Sequence, residues 1–157
     1  MSRRVFTSAL LCVGLTWAAI AARRVDAASV ARVQDANAST KRTVWDGVYT
    51  EEQAGRGQAL YARSCASCHA ADLRGGSTAP SLVEESFSFQ WDNTTVGELF
   101  ERIRTLMPSD RPNSLSAQSY RDIVAFLLQS NKFPTGEREL DADLDALRQI
   151  PITAKKP

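Results

Sequence analysis

The residue types from which metal and redox sites are usually assembled are scarce in this chain of 157 residues. It has one histidine, His69, three cysteines, Cys12, Cys65 and Cys68, and two methionines, Met1 and Met107. A structural zinc site wants four ligands, usually Cys and His, and Cys65, Cys68 and His69 supply only three. Charge of one sign is also scarce. The formal net charge is +1, so nucleic acid is not an obvious partner. No stretch alternates apolar and polar residues cleanly enough to demand a sheet. Apolar residues make up 43% and charged residues 24%, ordinary values for a soluble globular protein. The length suits one compact domain with tails better than two domains.

One long apolar run exists, Val5 through Ala22, preceded by Arg3-Arg4 and followed by Arg23, Arg24 and Val25-Asp26-Ala27. Basic, apolar and small-residue regions in that order make a secretory signal peptide over residues 1–27, with cleavage after Ala27. The competing reading is a retained membrane anchor, because the run matches the shortest spanning helices. Ser2-Arg3-Arg4-Val5-Phe6 is also similar to a twin-arginine signal. Cleavage would discard Cys12, and with it four arginines and one aspartate, moving the net charge from +1 to −2. The expected location is the periplasm or another exported compartment, with no membrane span in the mature form. Two cysteines left unprotected in an oxidising compartment need a chemical purpose.

Residues 28–43 are rich in Ala, Ser, Gln, Asn and Asp and read as a flexible lead. The domain proper is expected over 44–133. Thr50-Glu51-Glu52-Gln53 has the pattern of a capping box opening a helix from Glu51 to about Ser64. Thr95-Val96-Gly97-Glu98 repeats that signal, and Val96, Leu99, Phe100 and Ile103 give an amphipathic second helix ending near Thr105. Ser116 caps a third, whose apolar positions Tyr120, Ile123, Val124, Leu127 and Leu128 run out at Asn131. The segments Gly75 to Pro80 and Pro108 to Asn113 are turn-rich loops. In the tail, 134–157, Leu140, Leu144, Leu147 and Ile150 form a narrow stripe that predicts a short helix lying on the domain.

Cys65-Ala66-Ser67-Cys68-His69 is the attachment pattern for c-type haem. Two thiols one helical turn apart can each add to a vinyl group, while the imidazole of the next residue swings under the iron. A thioredoxin-like dithiol has the same CxxC spacing but wants a strand-helix-strand setting, whereas this motif follows a helix.

With these residues the chain resembles the small monohaem cytochrome c family over about residues 50 to 130. Gly57 and Tyr61, eight and four residues before Cys65, match the family's first helix. Ile123 and Phe126 match the last helix, which crosses it. The resemblance implies an all-α, cytochrome c-like fold, with three or more helices packed around one covalent haem c. It implies that His69 and Met107 ligate the iron, Met107 being the one methionine outside the signal segment and standing beside Pro108. In Ala79-Pro80-Ser81-Leu82, where the family usually has Gly-Pro-x-Leu, it implies that the Pro80 carbonyl holds the His69 ring and that Leu82 packs on the haem. Ala79 departs from that pattern and puts the turn in question. Trp91, Phe87 and Phe89 stand between the loops, either lining the haem crevice or filling the core, with Trp91 a candidate donor to a propionate. Val44-Trp45-Asp46-Gly47-Val48-Tyr49 resembles lead segments of cytochromes that accompany bacterial quinoprotein dehydrogenases.

A histidine and a methionine together would leave the iron no vacant position. The expected function is therefore transfer of single electrons between a protein donor and acceptor, a quinoprotein dehydrogenase among them, without catalysis at the metal. A haem enzyme or gas sensor with an open distal site is the alternative from another class. A small cytochrome subunit of a larger dehydrogenase is a further one.

Overall fold

The computed structural model describes residues 42–140 and 143–156. The expected signal segment, 1–27, and all but the last two residues of the expected lead, 28–43, lie outside the described residues. A short 3-10 turn, Val44–Asp46, is closed by Thr43, whose hydroxyl accepts from the Trp45 amide. Helix α1 follows at Glu51–Ser64 and a single turn, α2, at Ala66–His69. Then come α3, Glu84–Trp91, α4, Val96–Leu106, α5, Ala117–Ser130, and α6, Leu144–Arg148. Two-residue strands β1, Thr94–Thr95, and β2, Pro151–Ile152, pair antiparallel with Thr94 opposite Ile152. The fold is all-α apart from that pair, which the sequence does not advertise because two residues are too few to show alternation.

The helix starts follow from their caps. Thr95 and Glu98 form a complete capping box at α4, satisfying two orphan amides reciprocally. Ser116 accepts from the Ser119 amide at α5. At α1 only half of the expected box forms. Thr50 accepts from the Gln53 amide at 3.2 Å, but the Gln53 side chain turns inward. Fully buried, it donates to the Leu140 carbonyl at 3.3 Å and accepts from the Leu140 amide at 2.7 Å. A buried amide needs such partners, and the C-terminal segment supplies them.

The most extensive helix packing is between α1 and α5. A Cβ built on Gly57 would overlap the Asp122 carbonyl and lie 2.9 Å from Phe126 Cβ, so only glycine permits this approach. Next to it the Tyr61 and Phe126 rings pack at a tilt of 51° with centroids 5.4 Å apart. Asp122, nearly buried, accepts both Arg56 Nε and Arg56 Nη2 at 3.1 Å. It also accepts the Gln118 amide at 2.8 Å.

The C-terminal segment wraps the domain. The Gly136 amide donates to the Tyr49 carbonyl at 2.7 Å, Leu140 is held by Gln53, and α6 packs on α4. Arg148 of α6 pairs with Glu101 of α4 at 2.8 Å. Trp45 Nε1 donates to the Thr153 carbonyl at 2.9 Å. The expected short helix is present but shorter than the stripe: Leu140 precedes it and Ile150 follows it, both buried.

Helix α3 is an element that sequence periodicity did not resolve. On it Phe87 and Trp91 stand four residues apart and share a face, their rings 6.5 Å apart. Phe89, two residues from each, falls on the opposite face and is 95% exposed. It therefore does not fill the core, contrary to that reading of the aromatic cluster.

Candidate haem site

Helix α1 runs directly into the cysteine motif. Cys65 closes α1 with its amide donating to the Tyr61 carbonyl at 2.8 Å, and the Cys65 carbonyl then accepts the Cys68 and His69 amides at 3.1 and 3.0 Å. The two cysteines thus sit one helical turn apart. Neither is paired in a disulfide; Cys65 is half-buried and Cys68 exposed. Burial, with a smaller contribution from Cys68, pushes the Cys65 thiol up to about 11, so it stays protonated at neutral pH.

His69 is only 7% exposed, and its Nδ1 lies 2.9 Å from the Pro80 carbonyl oxygen. A carbonyl can only accept, so Nδ1 carries a proton, and in the neutral ring the lone pair is on Nε2. That tautomer is the one an imidazole needs to ligate a metal through Nε2.

The loop from Ala70 to Leu82 sets this distance. Its base is closed by the Leu82 amide donating to the Leu73 carbonyl at 2.8 Å, and its tip by the Gly76 amide donating to the Ala79 carbonyl at 2.9 Å. The Gly75 amide donates to the His69 carbonyl at 2.9 Å, the Thr78 hydroxyl to the Cys68 carbonyl at 3.3 Å, and the Tyr61 hydroxyl to the Ala70 carbonyl at 2.6 Å. Gly75 has φ +71°, and a Cβ there would overlap the Ala79 carbonyl and sit 2.7 Å from the Pro80 oxygen. The glycine that the turn needs is therefore Gly75, the first residue of the segment expected to form a loop. Ala79 is not among the residues with positive φ, so its departure from the family pattern costs the turn nothing.

The remaining candidates stand on other elements. Leu82 and Trp91 are half-covered and packed against the core. No hydrogen bond or ring contact joins Trp91 to His69 among the described residues. Met107 ends α4, its amide donating to the Ile103 carbonyl at 2.8 Å, and it opens the loop that leads to α5. The Met107 carbonyl accepts the Tyr120 hydroxyl at 2.8 Å. Leu60, Cys65, Leu82, Trp91, Ile103 and Leu115 are all only partly buried, and Leu106 is 48% exposed. Each lies on, or beside, an element carrying a site residue. Two thiols one turn apart and a correctly protonated imidazole beside them suit haem c in particular.

Comparison with known proteins bears this out. The family described as cytochrome c oxidase, cbb3-type, subunit III, matches residues 52–127. None of the curated proteins matches. Among solved structures, the sulfane dehydrogenase SoxCD from Paracoccus pantotrophus contains a chain that is 24% identical, with a TM-score of 0.44. That match covers 68% of this chain and 61% of the solved one, so this chain spans less than two thirds of its length. The fold, the motif and the family match define a cytochrome c domain that holds haem through thioether bonds. More narrowly, the chain is a small monohaem c-type cytochrome, and its cofactor is covalently attached haem c. Among the described residues no helix is long and apolar enough to cross a membrane.

Proposed function

We propose that this cytochrome is an exported carrier that passes single electrons between a protein donor and a protein acceptor, with His69 and Met107 as the two axial ligands. The observation that carries the reading is the His69 Nδ1 to Pro80 contact of 2.9 Å beside the Cys65–Cys68 turn. Cys65 and Cys68 form the thioethers. Pro80 fixes the tautomer and the orientation of the His69 ring, which strengthens imidazole as a ligand. Met107 would supply a soft sulfur donor to the iron. Leu82 would pack against the haem, and the Trp91 indole N–H would donate to a propionate. Bound haem c supplies a one-electron couple, and methionine opposite histidine shifts it toward the ferrous form. With both axial positions filled, the protein's part is ligation, dryness and a docking surface.

Residues 1–27 direct export and are removed after Ala27, leaving a periplasmic form with no membrane span. The donor is a dehydrogenase, with the quinoprotein class supported by the resemblance of the segment from Val44 to Tyr49. Nucleic acid has no place in this scheme.

The decisive experiment compares wild type with Met107→Ala. After acid denaturation and organic extraction the colour should stay with the polypeptide in both. Wild type should show the long-wavelength band that marks methionine on ferric iron. Met107→Ala should lose it, fall in reduction potential and bind added imidazole or carbon monoxide. An unchanged potential and spectrum would remove Met107 as a ligand, and a high-spin, carbon monoxide-binding wild type would turn the assignment to a haem enzyme or sensor. Intact mass of the exported protein tests cleavage at Ala27.

A further inference from the structure

We propose that Tyr120 is the positioning residue for Met107, its one hydroxyl clasping both ends of the loop that carries the methionine. This rests on the reading of Met107 as an iron ligand. Tyr120 lies in the first turn of α5 and is fully buried. Its hydroxyl donates to the Met107 carbonyl at 2.8 Å and accepts from the Leu115 amide at 3.4 Å. Its ring packs edge-on against Phe100 of α4, with centroids 6.5 Å apart.

The other ties of this loop are local. The Arg111 amide donates to the Pro108 carbonyl at 2.9 Å, and the Asn113 amide to the Arg104 carbonyl at 3.0 Å. Arg104 Nε returns a bond to Asn113 Oδ1 at 2.8 Å. These shape the loop and fasten it to the end of α4, the helix that Met107 itself closes. Tyr120 reaches it from α5 and ties residues 107 and 115 to one atom. A loop held at both ends on a second helix keeps its first side chain where it is needed, and preorganisation of that kind is what ligand binding rewards.

Removing the hydroxyl leaves a half-buried carbonyl and an amide without partners, and the loop then rearranges to satisfy them. The thioether would compete less well with any added ligand. Tyr120→Phe keeps the ring and its contact with Phe100 and removes only the clasp. Tyr49→Phe is the control, because Tyr49, a residue as fully buried as Tyr120, donates to the Phe133 carbonyl at 2.6 Å in a different part of the fold.

The test titrates imidazole into the three oxidised holoproteins and follows the methionine band. In Tyr120→Phe the affinity for imidazole should rise roughly three- to ten-fold, about one hydrogen bond's worth, while Tyr49→Phe should match wild type. Equal affinities in all three, or equal rises in both variants, would overturn the proposal. A wild type without the methionine band would instead sink the Met107 reading and this proposal with it, a different result from a normal band that Tyr120→Phe leaves untouched. Should Tyr120→Phe not accumulate, amide exchange on wild-type holoprotein decides. The Leu115 amide should exchange at least roughly ten-fold more slowly than that of Ser114, and equal rates would overturn the clasp.

Discussion

Gly57 and Gly55 stand two residues apart on α1 and predict opposite responses to the same substitution. In the interior of a helix, replacing glycine with alanine relieves a backbone-entropy penalty of about 1 kcal/mol. At exposed Gly55 a new Cβ would meet nothing within 4 Å, so Gly55→Ala should raise stability by up to about 1 kcal/mol. At Gly57 the new methyl would overlap the Asp122 carbonyl, which belongs to the backbone of α5 and cannot rotate away. To make room the helices must part by about 1 Å, and a close-packed interior does not absorb that. Overpacking costs about 1–3 kcal/mol. Here it also disturbs the buried Asp122 carboxylate and its two bonds from Arg56. With the propensity gain subtracted, overpacking alone leaves Gly57→Ala with a loss of up to about 2 kcal/mol, and the disturbed carboxylate adds to it. Urea unfolding of the holoproteins, read by helix signal and haem absorbance, gives both numbers, provided that the m value is unchanged. A Gly57→Ala variant as stable as wild type would refute the close crossing and reduce Gly57 to a tolerated defect.

Gly75→Ala should raise the reduction potential. Its Cβ would push the Ala79–Pro80 backbone away from His69 and weaken the bond that makes the imidazole a stronger donor; an unchanged potential in potentiometry would detach Gly75 from the site. At alkaline pH, burial pushes the Tyr49 and Tyr61 phenols up to about 12, against about 10 in an unfolded chain. The folded state therefore keeps protons that the unfolded state releases, so this stability is complete below about pH 10 and is lost as the pH rises toward about 12. Denaturation midpoints across that range should fall, and a flat profile would contradict the assignment.

Much of the fold was legible because its signals are local. A threonine or serine three residues before a matching amide is enough to start α1, α4 and α5, and the cysteine motif with its histidine lies within five consecutive residues. What stayed hidden depends on partners far along the chain. Gln53 looks like the second half of a capping box until Leu140, 87 residues away, offers it two bonds. Helix α3 opens at Glu84, which itself has φ +60°, and its N-cap residue Val83 makes no side-chain cap. Its start is set instead by the Asn131 side chain, which accepts the Glu84 amide at 3.0 Å. Without a local start signal its three aromatics read as one cluster, although a helix must send Phe89 away from Phe87 and Trp91. The role of Gly75 was hidden for the same reason, since the φ of a turn and the carbonyl it must avoid are not written in the residue itself.

The same crossing that forbids a side chain at Gly57 also sets the spacing of the two loops that carry His69 and Met107, the proposed ligands. Tyr61 on α1 holds the His69 loop through the Ala70 carbonyl at 2.6 Å, and Tyr120 on α5 holds the Met107 loop at 2.8 Å. Each buried phenol is carried by one of the two crossing helices, so the position of one loop relative to the other is transmitted through the α1–α5 contact. Two rigid helices in a packed core pass a displacement on rather than dissipating it. Parting them at Gly57 should therefore reach the iron. Gly57→Ala should weaken the methionine band and raise the affinity for imidazole at urea concentrations far below its unfolding midpoint, while Gly55→Ala leaves both at the wild-type values. If Gly57→Ala lost stability yet kept the wild-type imidazole affinity, the crossing would hold the fold together without setting the ligand geometry, and the two tyrosines would be independent anchors.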